Sequence, residues 1–220
     1  MVSTTNIKNI PSIRADFQLN NSFKIDEVLK HKLSIERRED VLKLILSLID
    51  LTTLEGADTN KKIDELCNTV LTIEHRKEIP NVAAICVYPT FAKVVSERLA
   101  DTKVKTACVA GAFPSGQSPI EIKLSEVKWA IDQGATEIDM VISRGKLLEG
   151  NYQEVFDEIL AIKKCCGAIH LKVIIESGEL QNNKNIRIAS DLAMYAGADF
   201  IKTSTGKISE GATYNSVYIM

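Results

Sequence analysis

Four charged residues stand inside otherwise apolar segments of this chain: Asp50 after Ile49, Asp139 between Ile138 and Met140, Lys172 between Leu171 and Val173, and Lys202 after Phe200 and Ile201. Lysine and aspartate are seldom fully buried without a partner. Burial strips water from an ammonium, which lowers its pKa and frees the amine to act as a nucleophile. A carboxylate beside such an amine can carry protons. Two lysines and two aspartates brought together would suit Schiff-base chemistry on a carbonyl compound. The competing reading is a salt-bridge network that fills the core, though such a network is often no better than apolar packing. Lys202 also opens the run Lys202-Thr203-Ser204-Thr205-Gly206-Lys207. Its closing glycine and lysine could contact a phosphate, the glycine by close backbone approach and the lysine by charge. A Walker-type loop is ruled out, because position 201 is Ile where a glycine is required and Ile208 follows Lys207.

The elements that must position these residues alternate. Strand patterns at 49–54, 82–88, 106–113, 137–142, 170–176 and 200–205 are followed by helix patterns at 58–71, 91–99, 118–133, 152–166 and 182–196, with a further helix beginning after Gly211. Asp58 or Thr59 is placed to cap the first of these helices. Strands alternating with helices predict parallel pairing, since each crossover returns the chain to the same end of the sheet. The repeat allows an open doubly wound sheet or a (β/α)8 barrel; no G-x-G-x-x-G follows the first strand, so a dinucleotide site is not indicated. In either architecture chemistry gathers at the C-terminal ends of the strands. Period-two alternation sends Asp50, Asp139, Lys172 and Lys202 to the face opposite their apolar neighbours. Thr52 shares the face of Asp50, and its hydroxyl could serve a sugar. Cys86 near the end of strand two either faces the site or serves as a small hydrophobe.

Residues 1–47 read as a polar arm to about residue 23 followed by helices, and residues 48–220 as one domain. At 45% hydrophobic and 25% charged residues with a net charge of −2, the composition is that of a soluble globular protein and offers no basic face for nucleic acid. No apolar run reaches the length of a bilayer span, and the N-terminus lacks a signal core. Five cysteines, an odd number without zinc-ligand spacing, predict free thiols in a reducing, cytoplasmic setting. The pair Cys165-Cys166 is expected at a helix end and inert. His31, His75 and His170 have no ligand spacing, and His170 is expected at the barrel bottom or in solvent.

Six segments together resemble deoxyribose-phosphate aldolase: Ile49-Asp-Leu-Thr-Thr-Leu54, Ala83-Ala-Ile-Cys-Val-Tyr-Pro89, Ala112-Phe-Pro-Ser-Gly116, Glu137-Ile-Asp-Met-Val141, Leu171-Lys-Val-Ile-Ile-Glu-Ser-Gly-Glu-Leu180 and Ala198-Asp-Phe-Ile-Lys-Thr-Ser-Thr-Gly-Lys207. They occur in the family's order from about residue 48 to 213, with an N-terminal region like that of the longer branch. The resemblance implies a TIM-barrel class I aldolase that cleaves 2-deoxy-D-ribose 5-phosphate reversibly to acetaldehyde and D-glyceraldehyde 3-phosphate, in deoxyribonucleotide catabolism. It implies no metal and no organic cofactor, a sugar phosphate as the small-molecule partner, and neither nucleic acid nor membrane; a homo-oligomer is left open. It assigns the Schiff base to Lys202, proton transfer to Asp139 and a place lining the site to Lys172. Asp50, Thr52, Cys86, Thr203, Thr205, Gly206 and Lys207 become the substrate-binding set, the last two near the phosphate. The family carries two further βα units, one with a G-F-K-P-A-G-G strand whose lysine lowers the nucleophile's pKa, and six units are expected here. Lys172 is then the remaining neighbouring cation. The alternative is a shortened, non-catalytic binding protein that pairs through open strand edges.

Overall fold

The computed structural model describes Lys30, residues 37–76 and residues 78–220. The arm and most of the helical stretch expected before the domain lie outside the described residues; its end is helix α1 (Arg38–Ser47). The sheet then runs β1 (Asp50–Thr52), β2 (Ala84–Val87), β3 (Lys105–Ala110), β4 (Glu137–Val141), β5 (His170–Ile174) and β6 (Phe200–Lys202). Between and after the strands come α2 (Asn60–Glu74), α3 (Ala92–Arg98), α4 (Ile120–Asp132), α5 (Arg144–Leu148), α6 (Tyr152–Cys166), α7 (Asn183–Tyr195) and α8 (Tyr214–Ile219). Local signals set several boundaries. Thr59 caps α2 by accepting from Lys62 N, and Asn182 caps α7 by accepting from Asn185 N. Pro89 closes β2 and begins a 3-10 turn. The short helix α5 was not expected; five residues that include Gly145 leave too brief a period to read.

The strand order is β1-β2-β3-β4-β5-β6 and every pairing is parallel. A doubly wound sheet would reverse its order at a switch point; this one advances without reversal. In a flat sheet β1 and β5 would lie about 19 Å apart, four steps of about 4.8 Å. Yet Asp50 Oδ2 on β1 and Lys172 Nζ on β5 are 2.6 Å apart. The sheet is therefore curled into a half-barrel, with β1 and β6 paired on one side only among the described residues.

The curl sorts residues by size. Ile85, Val87, Cys108, Ala110, Ile138, Met140, Leu171 and Val173 point outward into the main core beneath the helices. Alternate residues Ala84, Cys86, Ala107 and Val109 point inward and form a separate small cluster with Leu54, Tyr88 and Phe113. The outward set carries most of the large side chains, Ile85, Ile138, Met140 and Leu171, while the inward strand residues of the small cluster are no larger than Val109 and leave room on the concave face.

β3 and β6 are shorter than expected. β3 stops at Ala110 because Gly111 and Ala112 turn into the left-handed region, at φ 77° and 64°. β6 stops at Lys202 because the following backbone bonds to the turn after β5 rather than to a neighbouring strand: Thr203 O accepts from Ser177 N at 2.7 Å. No helix of the described residues is long and apolar enough to cross a membrane.

Candidate active site

The four charged residues meet on the concave face. Lys172 Nζ lies 2.6 Å from Asp50 Oδ2, 2.6 Å from Glu137 Oε2 and 3.8 Å from Asp139 Oδ1. Lys202 Nζ donates to Asp139 Oδ2 and stands 3.7 Å from Asp50 Oδ2. Cys86 Sγ approaches the same Asp139 oxygen at 3.9 Å. The Asp139 side chain is fully buried, and that of Lys202 is 30% exposed and so open to a small molecule. Asp139 Oδ1 is buried without a hydrogen bond. A buried carboxylate oxygen left open in this way can accept a proton or a water.

Glu137 was not picked out by the reading of isolated charged residues. The signal was available: it lies two positions before Asp139, so a strand presents both on one face. It also faces His170 Nδ1 at 3.3 Å, and His170 starts β5 with a half-exposed side chain. With Glu137 included, three carboxylates surround two lysines.

The groups around Lys202 overturn the expectation of a depressed amine. Burial is the largest single influence on Lys202 and lowers its pKa, but the charge of Asp139, then Cys86, the Asp139 hydrogen bond and Asp50 together leave it raised. Lys172 follows the same pattern, with burial opposed by Asp139, Asp50 and Glu137, and its pKa is also raised. Nor does Lys172 act as a free neighbouring cation, since two carboxylates engage it directly. Asp139 moves the other way from an ordinary carboxylate in an ion pair: burial pushes it up more than Lys202 and Lys172 pull it down. The raised carboxyl makes Asp139 the better proton acceptor, while the raised amine makes Lys202 hold its own proton more tightly, and the hydrogen bond between them is the path along which a proton would move. Cys86 is pushed well up by burial and by Asp139, which keeps it a thiol.

The remaining candidates are placed less centrally. Thr52 is exposed, and its hydroxyl turns back to Asp50 O at 2.9 Å rather than toward the lysines. Thr205 is buried and bonds by backbone and side chain to Glu176. Gly206 sits at φ 75°, the left-handed turn its lack of a Cβ permits, and faces open space. Lys207 Nζ reaches Glu55 at 3.0 Å, linking the ends of β6 and β1 across the mouth. Ser204 Oγ is buried without a partner. It lines a depression of about 540 Å³ with Ile201, Lys202, Thr203, Ala212, Val217 and Met220, beside the open edge of β6.

The curled parallel sheet thus brings a lysine at the end of β6 against a buried carboxylate in the middle of β4, an arrangement suited to amine chemistry. The comparisons agree on a family. A model of the DeoC/LacD family aldolase matches residues 44–220, and the chain belongs to that family. A Caenorhabditis elegans relative is 42% identical over 186 residues, 84% of this chain and 61% of that protein. The deoxyribose-phosphate aldolase of Homo sapiens is 39% identical over 186 residues, 80% of this chain and 58% of that protein. The chain thus spans about three fifths of the length of these curated relatives. Among solved structures, the tetrameric deoxyribose phosphate aldolase from Aeropyrum pernix aligns with a TM-score of 0.69 at 29% identity, over 80% of this chain and 71% of that one. The aldolase QR15 aligns at 0.72 with 31% identity, over 80% and 74%.

Proposed function

We propose that residues 48–220 carry the Schiff-base half of a deoxyribose-phosphate aldolase, with residues 1–47 as an appendage. The observation that carries this is the direct bond between the half-open amine of Lys202 and the buried carboxylate of Asp139. In the reaction, Lys202 passes a proton to Asp139, and its neutral amine adds to the C1 carbonyl of 2-deoxy-D-ribose 5-phosphate. Water leaves, and the protonated imine withdraws electrons from the sugar. A base then removes the C3 hydroxyl proton, the C2–C3 bond breaks, and D-glyceraldehyde 3-phosphate departs. Its electron pair remains as an enamine, which takes a proton at carbon and is hydrolysed to acetaldehyde. Asp139, through Lys172 or a water, is the proton carrier of these steps. The substrate phosphate is assigned to the Thr203–Lys207 segment, and identical copies of the chain are proposed as its partners in a homo-oligomer.

The test is trapping. The chain is incubated with acetaldehyde, reduced with borohydride, and the ethyl adduct located by peptide mass spectrometry. A single adduct on Lys202, lost in Lys202→Ala, is expected. Adducts scattered over surface lysines would refute the reading.

One observation favours a second reading, a non-catalytic binding protein. Exposed apolar residues flank both unpaired sheet edges: Leu48 and Ile49 at β1, Phe200 and Val217 at β6. Stoichiometric co-purification with another chain, together with an inert Lys202, would favour it.

A further inference from the structure

The segment after β6 has no regular structure of its own, so its position depends on bonds from elsewhere. They come from the turn after β5. Ile175 N donates to Lys202 O at 3.0 Å and Ser177 N to Thr203 O at 2.7 Å. Between them, the Glu176 carboxylate accepts from Thr205 N at 3.2 and 3.3 Å and from the Thr205 hydroxyl. The same hydroxyl accepts from Lys207 N at 3.1 Å. Glu176 itself is fully buried and held in the left-handed region, at φ 52° and ψ 62°, which a residue with a Cβ seldom adopts. Arg144 steadies it from the other side, with Nη1 at 3.3 Å, and also donates to Pro114 O and Ser115 O at 3.2 Å each.

We propose that Glu176 is a positioning residue for anion binding, fixing Thr205 and through it Gly206 and Lys207, with Arg144 holding its carboxylate in place. A buried charge on a disfavoured backbone is a poor choice for stability alone. Among the described residues its carboxylate bonds Arg144 and the segment after β6, which is where a fixed geometry would serve a ligand. Lys202, by contrast, is tied by the backbone of Ile175 and by Asp139, independently of Glu176. The identity of the anion as a sugar phosphate rests on the aldolase reading; the tie between Glu176 and Thr205 does not.

Inorganic phosphate is the probe, titrated into the whole chain and followed through the amide resonances of Thr205, Gly206 and Lys207, with thermal melting recorded for each variant. Glu176→Gln is expected to raise the midpoint about tenfold, the scale of a hydrogen bond to a charged group. Thr205→Val should raise it at least as far, and the double variant should be no worse than Thr205→Val alone, because both changes break one connection. An unchanged midpoint in Glu176→Gln, multiplying losses in the double variant, or no response of these amides in the unaltered chain would overturn the proposal. Should Glu176→Gln fail to fold, Arg144→Met is read instead: a rise of about threefold is expected, and an unchanged midpoint overturns the role. Acetaldehyde trapping on the same samples separates the two claims. Phosphate effects without a Lys202 adduct keep the positioning role and sink the aldolase; an adduct without phosphate effects does the reverse.

Discussion

Lys172 Nζ and Asp50 Oδ2 stand 2.6 Å apart although 122 positions separate the two residues in the chain. This contact joins β5 to β1 across the concave face and places the site within the curl. Lys172 also bonds Glu137, so one ammonium offsets two carboxylates. Replacing it with methionine would leave Asp50, Glu137 and Asp139 facing each other with Lys202 as their nearby cation. A loss of about 3–5 kcal/mol is expected at neutral pH, as for a buried pair broken from one side. The raised pKa sets the sign: the stabilisation by Lys172 is complete below the unfolded value and disappears as pH rises through the folded one. Denaturant melts of Lys172→Met and the unaltered chain should therefore converge at strongly alkaline pH. A constant difference across that range would contradict the assignment.

The raised pKa of Lys202 makes its reaction with acetaldehyde depend steeply on pH. Only the neutral amine adds to a carbonyl, so below the pKa the trapping rate should rise about tenfold per pH unit. Asp139 is the chief charge raising that pKa. Asp139→Asn should shift the profile toward lower pH, while turnover of deoxyribose 5-phosphate falls by about two orders of magnitude or more with the loss of the proton carrier. A profile that shifts upward would contradict the first role, and turnover that survives would contradict the second.

Asp139 also allows a stability test. Its pKa is raised, chiefly by burial, so ionisation is unfavourable in the folded state. At a pH above that folded value the unaltered chain bears this penalty, and Asp139→Asn should melt at the same temperature or higher. As pH falls through the folded value toward the unfolded one, Asp139 becomes protonated and the advantage of Asn should vanish. A much lower melting temperature for Asp139→Asn at neutral pH would reverse the sign of the argument.

The thiols should differ in reactivity. Burial pushes Cys108 and Cys166 up to about 12 and Cys86 well above its ordinary value, so none offers an appreciable thiolate at neutral pH. Cys165 is partly exposed. Iodoacetamide mapped by peptide mass spectrometry should label Cys165 first and leave Cys86 and Cys108 unmodified until the chain is denatured. Early labelling of Cys86 would mean that the concave face holds it as an activated thiolate.

Gly116 offers a test of the rim. It sits at φ 71°, and a Cβ there would come 2.6 Å from the carbonyl oxygen of Ile142. Its own carbonyl accepts from buried Lys123, which also bonds Glu158 and Ser143. Gly116→Ala should cost about 2 kcal/mol, the scale of a strained backbone position, as read from denaturant midpoints. A neutral substitution would mean that this loop gives way easily.

Much of the framework was legible because it rests on local rules. Apolar runs bounded by Pro89 and by capping residues such as Thr59 and Asn182 mark strands and helices through short-range sterics and hydrogen bonds. The boundaries of α6 at Tyr152 and Cys166 follow directly from its pattern. Alternation alone put Asp50, Asp139, Lys172 and Lys202 on one face, and it could have added Glu137. The pattern did not distinguish an open sheet from a barrel, because strand order is a matter of long-range pairing. The ends of β3 and β6 were misplaced because left-handed turns and bonds to distant segments stopped them. Only the tertiary structure set the direction in which the pKa of Lys202 moves: a single lysine in an apolar run predicts a depressed amine, whereas Asp139 from β4, Cys86 from β2 and Asp50 from β1 raise it. Glu176 was likewise visible only as a letter in a motif until the fold set it against Thr205, since neither burial nor partner is encoded within one strand.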